Sequence, residues 1–336
     1  MKKDVFAICD PEEDYALRLT EFIQEKQGAA FEIHAFTNVK SLCEFAAGHG
    51  ISLLLISTRA MCREVRELPI EKIMILSEGE MLEELSEYSC IYKYQASDSL
   101  VAEVMEDYAA ERRTPQALLK KNMRCIAVYS PIKRALKTSF ALTLGQLLAK
   151  DRKVLYLNME SCSGFSHLME KEFAADISDL MYFVKRDCGS LVYKLQGMVQ
   201  SLGNLDYVPP ALSPMDIRSV ACKEWLSLLE EVESYSTYET IILDFDEAVD
   251  GFLEILRRCQ TIYMPVREDS ISVAKIRQYE KLMEFAGYGD LEEKTRKLKL
   301  PFHGSFGQGT QYVEQLIWGE LGDFARNLIR EEFGNG

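Results

Sequence analysis

Residues 124–150 read RCIAVYSPIKRALKTSFALTLGQLLAK: an apolar run, a short polar loop, and an amphipathic stretch that opens on Lys137 and Thr138. A strand–loop–helix junction suits phosphate chemistry, because loop N–H groups and the positive end of the helix can both face an anion. Lys137-Thr138 fits the close of the G-x-x-x-x-G-K-[ST] fingerprint, in which the lysine reaches phosphate and the hydroxyl holds magnesium. Counting backwards, Pro131 and Leu136 fall on its two glycine positions, and the loop contains no glycine. Glycine takes positive φ without a Cβ clash. The loop is therefore expected either to follow another path or to grip phosphate less tightly, with Lys133 and Arg134 supplying charge in place of geometry. Ile132, Lys133, Arg134, Ala135, Leu136, Lys137, Thr138 and Ser139 are the candidate nucleotide-binding residues.

Three further runs carry polar residues at their ends. KVLYLNMES places Asn158 and Glu160 beyond an apolar stretch, and YETIILDFD does the same for Asp244. TIYMPVRED runs into Pro265 and Arg267. With the strand–loop–helix segment, these runs resemble P-loop ATPases of the ParA/MinD family, and the resemblance implies that Pro265 and Arg267 belong to the nucleotide site, that Asp244 holds magnesium with Thr138, and that Asn158 and Glu160 stand at the catalytic positions. An amide neither takes a proton nor carries charge, so hydrolysis is expected to be slow or absent.

A second set lies near the start. VFAIC ends at Asp10, with Glu12 and Glu13 just after it; SLLLIS ends at Ser57, KIMILS at Ser77, and IYKYQ contains Lys93. An acyl phosphate forms only on a carboxylate. A serine hydroxyl does not replace it without a positioned base.

Apolar runs of strand length alternate with amphipathic helical stretches throughout the 336 residues, which predicts parallel sheets covered by helices on both sides. The expected class is α/β, with two doubly wound three-layer domains. Pro115 follows a charged helical run, so the limits are set at 1–113 for the first domain, 114–121 for a linker and 122–336 for the second. Hydrophobic residues at 47% and charged residues at 27% fit a folded globular chain. The nine cysteines are dispersed singly, which reads as reduced thiols. Net charge is −14; residues 1–113 hold 12 Lys+Arg against 22 Asp+Glu, and the remainder 27 against 31. An acidic balance disfavours nucleic acid as a partner.

The first set of acids, serines and lysine, in that order and spacing, resembles receiver domains over about 105 residues, with Ser57 at the phosphoacceptor aspartate and Tyr94 at the proline that usually follows the lysine. The resemblance implies a receiver (flavodoxin-like) fold with a silent site at Asp10, Ser57, Ser77 and Lys93. The second part resembles ParA/MinD P-loop ATPases over about 210 residues: Lys137-Thr138, Asn158 and Glu160 at the D-x-D pair, Asp244 at the Walker B acid, the strand into Pro265, and YVPPALSPMDI ahead of Walker B. It implies binding of ATP and Mg²⁺ and a homodimer formed across the nucleotide sites of this domain. The lysine that crosses that dimer in the family falls at Ile132. Facing PIKRAL loops bearing Lys133, Arg134 and Lys137 are expected to repel unless an anion lies between them.

Together the two parts look most like the TadZ/CpaE group, which implies a positioning factor with protein partners in a Tad/Flp-type pilus or secretion machine. Alternatives are a nucleotide-free scaffold, a DNA-partitioning ATPase, which the acidic charge disfavours, and a response regulator, which Ser57 disfavours. The chain is expected to be cytoplasmic, recruited to the cell pole or inner membrane face by partners. The stretch QYVEQLIWGELGDFARNLIREEF is amphipathic, but its polar face carries Glu314, Glu320, Asp323, Glu331 and Glu332. Membrane-lying helices favour Lys and Arg there, so packing against the core is expected.

Overall fold

A computed structural model describes residues 4–27, 31–79, 85, 87–111, 123–186, 191–301 and 309–333. The expected linker, 114–121, lies outside them. The chain divides into two compact units, one of Met1–Gln116, Cys188–Gly197 and Tyr235–Thr237, the other of the remaining residues.

The first unit is built on β1 (Asp4–Cys9), β2 (Phe31–Phe36), β3 (Ile51–Ser57), β4 (Ile70–Ser77) and β5 (Ser89–Tyr92). They form one parallel sheet in the order β2-β1-β3-β4-β5, the flavodoxin-like order. Continuous apolar runs are needed because both faces are covered. Phe6, Ile8, Leu53 and Leu55 pack on one side with Leu19 and Ile23 of helix Glu13–Gln27 and with Leu100, Val104 and Tyr108 of helix Ser97–Glu111. Val5, Ala7, Cys9, Leu54 and Ile56 pack on the other, with Leu42 and Ala46 of helix Val39–Ala46 and Val65 of helix Arg63–Arg66. The order reverses between β1 and β3, so their carboxyl ends, where Asp10 and Ser57 sit, flank the switch point at which such sheets place their sites.

Among the described residues, the second unit holds seven strands: β6 (Arg124–Val128), β7 (Val154–Met159), β8 (Gln200–Leu202), β9 (Leu205–Val208), β10 (Thr240–Phe245), β11 (Thr261–Pro265) and β12 (Thr295–Leu298). Their order is β12-β11-β6-β10-β7-β9-β8, parallel except for the closing β8–β9 pair. Helix Lys137–Leu148 follows β6 and is buried without a break from Phe140 to Leu148, as a helix enclosed on every side must be. It comes so close to β9 that a Cβ on Gly145 would stand 2.9 Å from Leu205. Ile126, Val128, Tyr156, Ile242 and Tyr263 share its apolar core with Val313, Leu316, Leu321, Ala325 and Leu328 of the C-terminal helices. That stretch consists of helix Gly309–Gln315, a 3-10 turn at Leu316–Trp318 and helix Glu320–Phe333, and it packs on the core as its acidic polar face implied. Among the described residues, no helix is long and apolar enough to cross a membrane.

Candidate functional site

In the second unit, the parallel registers Asp244↔Val128 and Asp244↔Asn158 align the ends of β10, β6 and β7. The loop from β6 to helix Lys137–Leu148 is therefore laid beside Asp244 and the residues after β7. Ser130 starts this loop: its Oγ donates to the Pro265 carbonyl at 2.7 Å and accepts from Ile132 N at 3.3 Å. Ile132 and Ala135 are pinned in a small apolar cluster with Ile276 and Val266. Arg134 has φ 56° and Leu136 φ 61°. Each side chain in the left-handed region costs about 1–2 kcal/mol. Leu136 stands at the second glycine position of the fingerprint. It takes the positive φ that glycine would supply, and the packing of Ile132 and Ala135 holds the loop there.

The Lys137 ammonium lies 2.6 Å from Glu160 Oε1, 2.8 Å from Asp244 Oδ1 and 2.8 Å from the Phe245 carbonyl. Those three contacts use its three donors. Burial works against its charge, but Asp244 and Glu160 outweigh it and hold the lysine above its ordinary pKa. Thr138 Oγ1 donates to Glu160 Oε2 at 3.1 Å, so one carboxylate spans both residues. Asp244 is fully buried, and its second oxygen accepts from Tyr156 OH at 3.0 Å. Burial first, and then the charge of Asp244, push the Tyr156 phenol well above its ordinary pKa. For Glu160 the same two causes outweigh Lys137 and Thr138 and raise its pKa.

Asn158 is fully buried, and both ends of its amide are engaged: Nδ2 donates to Tyr156 OH at 3.0 Å and Oδ1 accepts from Glu160 N at 3.0 Å. In this state it orders the Asn158–Tyr156–Asp244 chain. Lys133 is 3.2 Å from Glu247 and 3.6 Å from Asp246. Asp246 also accepts from Ser161 Oγ at 2.6 Å. Lys137 and Lys133 are thus both paired with carboxylates within the chain. The other two expected nucleotide-site residues are engaged elsewhere: Ser139 Oγ hydrogen-bonds Tyr312 OH at 3.2 Å, and the exposed Arg267 lies 3.8 Å from Asp269. The donors and acceptors around Lys137, Thr138 and Asp244 fit a phosphate–magnesium pair in kind, with Glu160 now taking the lysine and the threonine.

In the first unit the four expected residues converge on the carboxyl ends of the strands. Lys93 is fully buried and lies 2.8 Å from Asp10, 3.2 Å from Glu12 and 3.7 Å from Glu78. Tyr15 covers it, with its ring centroid 4.5 Å from the ammonium and its hydroxyl donating to the Lys93 carbonyl at 3.2 Å. The Ser57 and Ser77 hydroxyls accept from Arg59 N at 3.4 Å and Gly79 N at 3.1 Å, so both serve local turns. Ser57 is 1% exposed. Incubation with acetyl phosphate and magnesium is accordingly expected to leave the first unit unlabelled by intact-mass spectrometry; a stoichiometric phosphate on Asp10 or Ser57 would contradict this.

No family model matches the chain, and no curated protein matches it. Among solved structures it is similar to a ParA family ATPase from Chlorobium tepidum, at 18% identity over 59% of this chain and 81% of that one, with a TM-score of 0.46. A plasmid partition protein from Borrelia burgdorferi gives 16% over 62% and 100%, TM-score 0.41. Cobyrinic acid a,c-diamide synthase from Mycobacterium smegmatis, bound to an ATP analog and magnesium, gives 14% over 62% and 95%, TM-score 0.42. At TM-scores below 0.5, neither ligand nor activity transfers from these proteins to this chain.

Proposed function

We propose that this chain is a ParA/MinD-like nucleotide-binding positioning factor that binds ATP and magnesium and hydrolyses ATP slowly or not at all. The observation that carries this reading is the loop before helix Lys137–Leu148, which takes positive φ at Leu136 and delivers Lys137 and Thr138 next to Asp244. Lys137 would hold a phosphate, and Thr138 and Asp244 the magnesium. Slow turnover follows from Asn158, whose amide is committed to Tyr156 and to the backbone of Glu160. A role in a Tad/Flp-type pilus or secretion machine rests on the sequence resemblance of the two domains in tandem, as do a homodimer through the second domain and recruitment by partners to a pole or membrane face.

The test is calorimetric titration of the whole chain with ATP and magnesium. Binding is expected in the micromolar range or weaker, since phosphate-facing groups already paired within the chain offset about 1–3 kcal/mol of the gain. Lys137→Ala is expected to abolish it. A nucleotide-free scaffold is the second reading, and one observation favours it: every donor of Lys137 is already satisfied by protein oxygens. Absence of heat at millimolar ATP would decide for the scaffold.

A further inference from the structure

Two carboxylates share Lys137, and they differ in how firmly they are held. Asp244 lies inside β10, fully buried, with Tyr156 fixing its second oxygen. Glu160 stands one residue beyond the end of β7, at the start of the turn that carries Ser161, and its side chain is 21% exposed. Its main chain is tied through its N–H to Asn158 Oδ1 at 3.0 Å, so the carboxylate can rotate away without moving the strand. Both of its oxygens are in use, one on Lys137 at 2.6 Å and one on Thr138 at 3.1 Å. Those are the side chains that the loop would otherwise offer to a phosphate and its metal.

We propose that Glu160 is an internal competitor for the phosphate site: its carboxylate occupies Lys137 and Thr138 as an anionic stand-in and must be displaced before a polyphosphate can bind. The inference rests on the nucleotide reading above and deepens it by naming the residue that sets affinity. When Glu160 leaves, Asp244 still pairs with Lys137, so the lysine is never stranded, and the hydroxyl of Thr138 is released at the same time. The apparent affinity is the intrinsic affinity multiplied by the fraction of molecules in which the carboxylate has left. The ligand class is a polyphosphate, alone or on a nucleotide, since the competition concerns phosphate oxygens only.

The experiment is a calorimetric titration of the full chain, with and without magnesium, using ATP, ADP and inorganic tripolyphosphate. The proteins are the wild type, Glu160→Gln, Glu160→Asp and Lys137→Ala. Glu160→Gln is expected to bind all three ligands on the order of tenfold tighter, because a neutral amide does not hold the ammonium as a carboxylate does. The gain should be the same for tripolyphosphate as for ATP. Glu160→Asp keeps the charge but is one methylene too short to span both partners, so it should show a smaller gain and serves if the glutamine variant does not fold. Unchanged or weaker binding in both Glu160 variants, with wild-type binding still lost in Lys137→Ala, overturns the competitor role and leaves the nucleotide reading standing. No binding of any ligand to the wild type or to either Glu160 variant overturns both.

Discussion

Lys137→Ala is expected to destabilise the second unit by about 3–5 kcal/mol at neutral pH, the cost of removing one partner from a buried ion pair. The lysine side chain is 11% exposed, and it is the cation between Asp244, which is fully buried, and Glu160. Its removal leaves two carboxylates facing each other and takes a donor from the Phe245 carbonyl. Both tryptophans, Trp225 and Trp318, lie in this unit, so fluorescence-monitored urea unfolding reports on it directly. Combining Lys137→Met with Asp244→Asn should recover part of the loss, since the only carboxylate then left without its cation is Glu160, whose side chain is 21% exposed and can turn toward solvent. A loss below about 1 kcal/mol would mean that Lys137 stands in solvent rather than in this network.

Lys93→Ala should cost the first unit a similar amount, about 3–5 kcal/mol, for the same reason. Here the ammonium is fully buried and Asp10 is 1% exposed, with Glu12 and Glu78 adding negative charge around it. Hydrogen exchange of the amides in β1 and β3 is the suitable measurement, because this unit has no tryptophan. Burial works against the charge of Lys93, but its hydrogen bonds to Asp10 and Glu12 prevail and raise its pKa. The folded-state pKa therefore exceeds the unfolded one. The stability this lysine contributes is complete below its ordinary value of 10.5 and is lost as pH rises through the raised value. If exchange from β1 in Lys93→Ala matches that of the wild type, the buried pair is not a structural element.

The sequence exposed the central strands of both units because a parallel strand covered on two faces must be apolar along its whole length, as in SLLLIS and TIILDF. It hid the flanking ones. FEIHAF in β2 is half-exposed, and QSL in β8, LDYV in β9 and TRKL in β12 are too short or too polar to show a period. The residue types of the site were legible at Lys137 and Thr138, which open a helix after a strand and a short loop, and at Asp244, which ends an apolar run. Tyr156 was not, because its phenol is embedded in the run VLYLN and shows as one more apolar residue. Nor could spacing reveal that Glu160 folds back onto Lys137, since that depends on where β7 ends relative to β6. The positive φ at Arg134 and Leu136 was not legible, because absence of glycine argues against that region only until tertiary packing outweighs the strain.

The two margins of the second sheet are also informative about what this protein does not recruit by strand pairing. β8 is three residues long and β12 is four. On β12, Arg296 and Lys297 are exposed; Lys297 pairs with Glu280 and Arg296 with Glu331 and Glu332. Unpaired N–H and C=O rows invite another chain to extend a sheet, and short, charged, side-chain-covered margins discourage it. Concentrated solutions of this protein should therefore resist forming cross-strand aggregates from these two described margins.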